Sequence, residues 1–180
     1  ARVDARGPTL SQLGSEPRLT EWKFLLPMSK PRPRELAALF AEHGSAVARQ
    51  YAPQIEKLRP RGLAGFLNGF ADMISEHEGR YWLVDWKSNH LGEGPDAYGA
   101  DAVTQSMNAH HYILQYHLYV LAWHRHLTVR LAGYDYDRHF GGVCYAFLRG
   151  ARPGSNNGMF FDRPPRALVE AMDSWARGEA

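Results

Sequence analysis

Two carboxylates and a lysine are spaced so that they could surround one metal ion. Asp85 and Lys87 follow the apolar run Tyr81-Trp-Leu-Val84, which is typical of a strand buried on both faces. Side chains two residues apart on a strand emerge from the same face of a sheet. Asp72 lies in the preceding segment, which joins the apolar run through Glu78-Gly79. Because Gly supplies the positive φ of a tight turn, the two segments are predicted to form a hairpin.

The register of this hairpin decides what the two carboxylates can do. Counting outward from the turn, His77 faces Arg80 and Asp72 faces Asp85. Directly opposed residues lie about 4.5–5.5 Å apart at Cβ, where two unscreened carboxylates repel each other. A divalent cation would remove that repulsion, and oxygen ligands suit Mg²⁺ or Mn²⁺. Lys87 could then contact a phosphate beside the metal. The alternative is that these are unrelated surface residues with a routine salt bridge, which the apolar strand disfavours.

Three more polar residues are candidates for the same site, and each has a structural alternative. Glu21 lies on an earlier predicted strand and is either a further active-site carboxylate or a solvent-facing residue. Gln115 and Tyr119 are four residues apart on a predicted helix, so they share one face. They could hydrogen-bond phosphate oxygens or a catalytic carboxylate, or they could form a helix flank beside the core.

The elements that must position these residues predict one α/β domain. Periodicity and breaker residues predict helices over about 35–51, 102–127 and 164–177, and strands over 19–27, 65–77, 80–86 and 142–148. This order predicts a small mixed central β-sheet flanked by helices. Residues 1–18 are predicted to be an N-terminal tail or connection, and residues 19–180 to be the domain.

Composition fits a globular protein and excludes several other classes. The 180 residues are 44% hydrophobic and 22% charged, with one cysteine, which excludes an internal disulfide framework. Without an export signal or an apolar run of about 18 residues, a cytoplasmic location is expected. The net charge of +2 is too small to predict DNA binding from bulk charge. One local basic set is either a DNA path or a solvated loop. It comprises Lys30, Arg32, Arg34, Lys57, Arg59 and Arg61.

These motifs together resemble the PD-(D/E)XK nuclease superfamily, in the RecB-type branch formed by the C-terminal nuclease domains of exodeoxyribonuclease V. The short motifs are Asp72, Asp85-x-Lys87 and Gln115-x-x-x-Tyr119. The longer ones are Leu67-Asn-Gly-Phe-Ala-Asp72, His77-Glu-Gly-Arg-Tyr-Trp-Leu-Val-Asp-Trp-Lys-Ser-Asn89, Tyr134-Asp-Tyr-Asp-Arg-His-Phe-Gly-Gly-Val143 and Phe147-Leu-Arg-Gly150. The similarity extends from about Leu10 onward and implies a restriction-endonuclease-like core.

The resemblance also implies roles for individual residues. Asp72, Asp85 and the backbone carbonyl of Trp86 would be metal ligands, and Lys87 would be catalytic. Glu21, Gln115 and Tyr119 match further active-site positions. The implied reaction is Mg²⁺-dependent hydrolysis of DNA that leaves 5′-phosphate ends, and Mn²⁺ or Ca²⁺ could replace Mg²⁺ in binding. The implied parent is an ATP-driven helicase–nuclease at the nucleoid. It would act in double-strand break repair and recombination with RecC-like and RecD-like subunits and the RecA recombinase.

One departure from the family pattern bears on the metal. In that family a His on a helix upstream of the Glu21 position also binds the metal, whereas His43 follows Glu21 in this sequence. The resemblance therefore implies an N-terminally truncated core that binds metal weakly and cleaves DNA poorly. A second hypothesis is a docking module that recruits RecA or the partner subunits, which would not need the Asp/Asp/Lys set. A restriction-type endonuclease is disfavoured because the similarity extends beyond the catalytic core.

Overall fold

A computed structural model describes residues 7–60 and 64–179 of the chain. Arg61 of the predicted basic set, and residues 1–6 of the predicted N-terminal connection, lie outside the described residues. The helices are α1 Leu10–Ser15, α2 Pro33–His43, α3 Ala46–Glu56, α4 Ala100–Ala109, α5 Tyr112–Arg130, α6 Tyr136–His139 and α7 Arg166–Arg177, with a 3₁₀ turn at Pro95–Tyr98. The strands are β1 Arg18–Met28, β2 Gly65–His77, β3 Arg80–Lys87, β4 Phe140–Phe147 and β5 Met159–Asp162.

The five strands form one mixed sheet. A mixed central sheet is what the sequence predicts, with four of these five strands. Their order is β1-β2-β3-β4-β5, which makes β3 the central strand. Strand β3 pairs antiparallel with β2 and parallel with β4, and β5 closes the sheet antiparallel to β4. Residues 82–85 of β3 are all buried, which explains why this segment is nearly continuous in apolar residues.

The β2–β3 hairpin has the predicted register. His77 pairs with Arg80, and the pairing continues to Met73 and Val84. Both turn residues have positive φ, 51° at Glu78 and 74° at Gly79. Two positive φ values in a two-residue connection are the signature of a type I′ turn, whose twist matches that of the flanking strands.

The predicted helix over 35–51 is wrong in its extent, because it is two helices. Helix α2 ends at His43 and α3 begins at Ala46. A Cβ at Gly44 would lie 2.3 Å from the carbonyl oxygen of Phe40, so this turn accepts only glycine. The Ser45 side chain then accepts a hydrogen bond from the backbone N–H of Ala48 and caps α3.

The predicted helix over 102–127 is likewise divided. Helix α4 ends at Ala109, and α5 begins at Tyr112. His111 between them has φ 57°, a left-handed conformation that an α-helix cannot continue through. Both halves carry apolar stripes, so periodicity alone predicted a single helix.

Three short elements were not predicted. Helix α1 lies within the predicted connection of residues 1–18, and its Leu13 is fully buried. Helix α6 and strand β5 are each four residues long. The boundary at residue 18 stays a prediction, although it now follows a helix that contributes to a core.

The chain packs as two compact units. The first contains residues 7–22, 71–112 and 137–163. Its core lies where α1 covers the hairpin: Leu13 packs with Met73, Trp82, Val84 and Cys144. The Ser75 hydroxyl, also buried, donates a hydrogen bond of 2.8 Å to the Leu13 carbonyl. The β2–β3 hairpin is therefore joined to α1 by buried side chains and by a hydrogen bond.

The second unit contains the remaining described residues, 23–60, 64–70, 113–136 and 164–179. Helix α2 packs against α3 and α7, and buries Leu36 and Phe40. The Asp173 carboxylate of α7 ion-pairs with Arg125 of α5 and with Arg177 of its own helix. Among the described residues, no helix is both long and apolar enough to span a bilayer.

Candidate active site

The open end of the hairpin brings Asp72 to the backbone of β3. One residue beyond the Met73–Val84 pair, the Asp72 Oδ2 accepts a hydrogen bond of 2.9 Å from the backbone N–H of Trp86. This bond ties the carboxylate of one strand to the Asp85–Trp86 peptide of the next. The register explains it, because continuing the ladder by one residue would place Asp72 opposite Asp85.

Asp85 is a buried acid with an elevated pKa. The residue is 5% exposed, at the end of the apolar run of β3. Its pKa is raised from 3.8 to about 6, chiefly by burial; the hydrogen bond and charge of Lys87 lower the pKa, and the negative charge of Asp72 raises it. Two carboxylates that destabilise each other's charge are a site that a cation would stabilise.

Lys87 is held between the acid and two aromatic rings. Its Nζ lies 2.5 Å from the Asp85 Oδ2, as expected for side chains two residues apart on one strand. The same Nζ lies 4.0 Å from the centroid of the Tyr112 ring and 5.0 Å from that of Tyr145. The Tyr112 hydroxyl donates a hydrogen bond of 3.2 Å to the Asn89 side-chain oxygen, which fixes the ring. The ammonium is therefore positioned on three sides by groups that favour a cation.

The donor set at this end of the hairpin fits a hard divalent cation. The Asp85 Oδ2 is buried against the Lys87 ammonium, and Asp72 brings a second carboxylate to the same end of the hairpin. Carboxylate oxygens of this kind suit Mg²⁺ or Mn²⁺. Across residues 7–60 and 64–179, however, no group of three or more His, Cys, Asp or Glu residues could hold a metal ion. The site thus offers two carboxylates to a metal that would keep several waters.

Glu21 occupies an unusual position on β1. Its side chain is exposed, and its backbone φ is 51° in the middle of a strand. A left-handed conformation costs a non-glycine residue about 1–2 kcal/mol, and such strain is found often at functional sites. The active-site role of Glu21 stays a prediction, alongside its solvent-facing alternative.

Gln115 and Tyr119 lie on α5, one turn apart and half-buried, as their spacing predicts. Both belong to the second unit. The Tyr119 ring packs edge-on against Phe24, with 5.4 Å between ring centroids. This contact agrees with the helix-flank alternative for the ring, and the phosphate-binding role of the pair stays a prediction.

The two tyrosines around Lys87 were not identified from the sequence. Tyr145 lies opposite Asp85 in the parallel β3–β4 pairing, a contact between segments distant in the chain. Tyr112 is the first residue of α5, directly after the unpredicted break at His111. The sequence carries no local signal for either contact, because each depends on long-range pairing or on the exact end of a helix.

Comparison with known proteins identifies the family of this chain. The sequence model of the PD-(D/E)XK nuclease superfamily matches residues 10–177. The chain belongs to the PD-(D/E)XK nuclease superfamily. Its mixed five-stranded sheet with flanking helices is the restriction-endonuclease-like fold predicted for such a nuclease.

Among the relatives of this PD-(D/E)XK chain are RecBCD enzyme RecB subunits. That of Escherichia coli (strain K12) is 41% identical over 185 residues, covering 99% of this chain and 15% of the relative. That of Haemophilus influenzae is 36% identical, covering 93% of this chain and 13% of the relative. That of Mycobacterium tuberculosis is 36% identical, covering 91% of this chain and 17% of the relative. The chain therefore spans less than a fifth of the length of these RecB relatives.

Proposed function

We propose that this chain is the nuclease domain of a RecB-like helicase–nuclease and that it hydrolyses DNA phosphodiesters with Mg²⁺. The observation that carries the proposal is the buried Asp85–Lys87 ion pair at the end of a hairpin whose other strand presents Asp72. The family membership and the RecB relatives support it. Bulk charge does not contradict it, since the net charge is slightly positive.

The proposed centre divides the work among a few groups. Asp72, Asp85 and the backbone carbonyl of Trp86 would hold Mg²⁺. When bound there, Mg²⁺ supplies Lewis-acid polarisation of the phosphate and activation of a water. Lys87, oriented by Tyr112 and Tyr145, donates hydrogen bonds to a phosphate oxygen and stabilises the charge that develops on it. Mn²⁺ or Ca²⁺ would occupy the same ligands.

Three further residues are proposed to support the phosphate. Glu21, Gln115 and Tyr119 would contact its oxygens or the waters around it. In the reaction the water oxygen forms a bond to phosphorus, and the bond from phosphorus to the 3′ oxygen breaks. The 3′ oxygen leaves as a hydroxyl, and the phosphate stays on the 5′ end.

The proposed partners follow from the relatives' name. A RecBCD enzyme subunit implies RecC-like and RecD-like subunits and a DNA substrate for the protein that carries this chain. We also propose recruitment of the RecA recombinase and a cytoplasmic, nucleoid-associated location.

A pull-down of RecA by the complex tests whether recruitment is independent of catalysis. RecA should still be recovered when Asp72, Asp85 and Lys87 are all changed to alanine. Loss of RecA with those changes would contradict that independence.

End-group analysis of the products tests the reaction. The full-length protein with its partner subunits, given linear DNA, ATP and Mg²⁺, should yield fragments with 5′-phosphate and 3′-hydroxyl ends. Removal of Mg²⁺ with a chelator should stop cleavage, and addition of Mn²⁺ in excess of the chelator should restore it. Products with 5′-hydroxyl ends, or cleavage that persists in the chelator, would contradict the proposed chemistry.

A further inference from the structure

An apolar cavity lies wholly within the second unit, and the proposed nuclease does not use it. Its volume is about 320 Å³, near the lower end of ordinary ligand pockets. Its walls include Leu36, Ile55, Leu58, Leu114, Leu118 and Trp175. Phe66 stands at its side and is 68% exposed, which is unusual for a phenylalanine. The cavity, called the socket below, is thus apolar and has a largely exposed aromatic side chain in its lining.

A second, basic cavity adjoins this socket. Pro33, Leu58 and Pro60 contribute to the lining of both cavities. The second cavity, of about 850 Å³, is bordered by four cations and two acids. The cations are Arg32, Arg34, Lys57 and Arg59, and the acids are Glu35 and Glu56. Arg32 is paired with Glu35 at 2.9 Å. The remaining side chains, three cations and one acid, make the border of the cavity positive overall.

The walls of the socket are preorganised. Pro31, Pro33 and Pro60 have fixed φ values, so little backbone entropy is lost when a ligand binds. The Trp175 indole N–H donates to the Arg32 carbonyl at 3.3 Å, and the Arg32 guanidinium donates to the Trp175 carbonyl at 3.0 Å. These reciprocal bonds hold the α7 end against the loop before α2.

We propose that the socket and the neighbouring basic cavity, together called the groove, bind an acidic peptide segment of a partner protein. The peptide inserts one or two large apolar side chains into the socket. The apolar lining suits an aliphatic or aromatic side chain, whose burial favours binding. A nucleobase is disfavoured because its polar edge would lose its hydrogen bonds to water in such a lining. Carboxylates flanking the anchor would meet Arg34, Lys57 and Arg59, all of them exposed.

Fluorescence anisotropy with synthetic peptides tests the proposal. The probe is a labelled peptide in which several Asp residues flank a Leu and a Phe. Two comparison peptides carry Lys in place of Asp, or Ser in place of Leu and Phe. The full-length protein that carries this chain should bind the acidic apolar probe and lose about tenfold or more in affinity for either comparison peptide.

Matched surface variants locate the binding. Phe66→Ser and Arg34→Glu should each weaken binding of the probe by about tenfold. Phe70→Ser, on the same strand and 54% exposed, and Arg49→Glu, on α3 and exposed, should leave it unchanged. All four side chains are on the surface, so melting temperatures should stay close to that of the parent and separate a binding defect from misfolding.

Several outcomes would overturn the proposal. The first is a probe that does not bind, or that binds the Phe66→Ser variant equally well. Competition by single-stranded oligothymidylate that Phe66→Ser abolishes would assign the groove to nucleic acid. Self-association in sedimentation velocity that Phe66→Ser abolishes would assign it to a second copy. Binding by the 180-residue chain but not by the full-length protein would show that the parent covers the groove itself.

Discussion

At the scale of single residues, burial makes the proposed centre responsive to metal and pH. Asp85 is held at 5% exposure beside a second carboxylate, and Lys87 offsets its charge. Its elevated pKa means that folding disfavours the ionised form of the Asp85 carboxyl group. A bound cation would stabilise that ionised carboxylate, so the same burial that raises the pKa also favours binding of a cation.

The pH dependence of stability tests this account of Asp85. Its pKa is raised from 3.8 to about 6 on folding, so its effect on stability is most favourable below the unfolded value and is lost as pH rises through about 6. Between pH 4 and pH 8 the free energy of unfolding should fall by on the order of 3 kcal/mol relative to Asp85→Asn, in the absence of metal. Urea unfolding at a series of pH values would measure this, and parallel curves for the two proteins would contradict it.

The aromatic rings around Lys87 give a second prediction at this scale. Tyr112→Leu removes the ring 4.0 Å from Nζ and should lower kcat for DNA cleavage by about two- to thirtyfold, with little change in KM. Tyr112→Phe keeps the ring, loses the bond to Asn89, and should retain most of the activity. Single-turnover cleavage by the full-length protein would compare them. Equal losses in both variants would assign the effect to the hydroxyl instead.

At the scale of elements, the hairpin that carries the acids is closed by a turn with one strained residue. Glu78 has φ 51°, a value that asparagine adopts more readily than glutamate. Glu78→Asn should therefore raise the free energy of unfolding by about 1 kcal/mol. Glu93→Asn is a suitable control, since its side chain is exposed and its φ is not positive. A destabilised Glu78→Asn variant would show that the turn is of another type.

The sequence predicted elements where the signal is local and missed them where it is not. The β2–β3 register followed from two turn residues and the apolar run of β3. The break at Gly44 was missed because the need for glycine arises from the Phe40 carbonyl one turn earlier, which composition does not reveal. The His111 break was missed because a helical stripe continues on both sides of it. Tyr145 reached the site through β3–β4 pairing, a long-range contact.

At the scale of the whole molecule, the isolated chain should be a weak enzyme. Among its described residues, metal ligands of the His, Cys, Asp and Glu types do not occur in groups of three. Its net charge of +2 adds little general attraction to DNA. Calorimetry of the 180-residue chain should show weak binding of Mg²⁺ or Mn²⁺, and its DNA cleavage should be slow compared with that of the full-length protein. Tight, stoichiometric binding of either ion would refute this expectation.

Cleavage of linear DNA by active-site variants tests the central claim most directly. The full-length protein with its partner subunits would be assayed in Mg²⁺ as the parent, as Asp85→Ala and as Lys87→Ala. Glu93→Ala and Arg49→Ala serve as controls because both side chains are exposed. Each active-site variant should lose about a hundredfold or more of the cleavage rate while DNA unwinding and the controls stay at parental levels. Cleavage at the parental rate in both Asp85→Ala and Lys87→Ala would contradict the account.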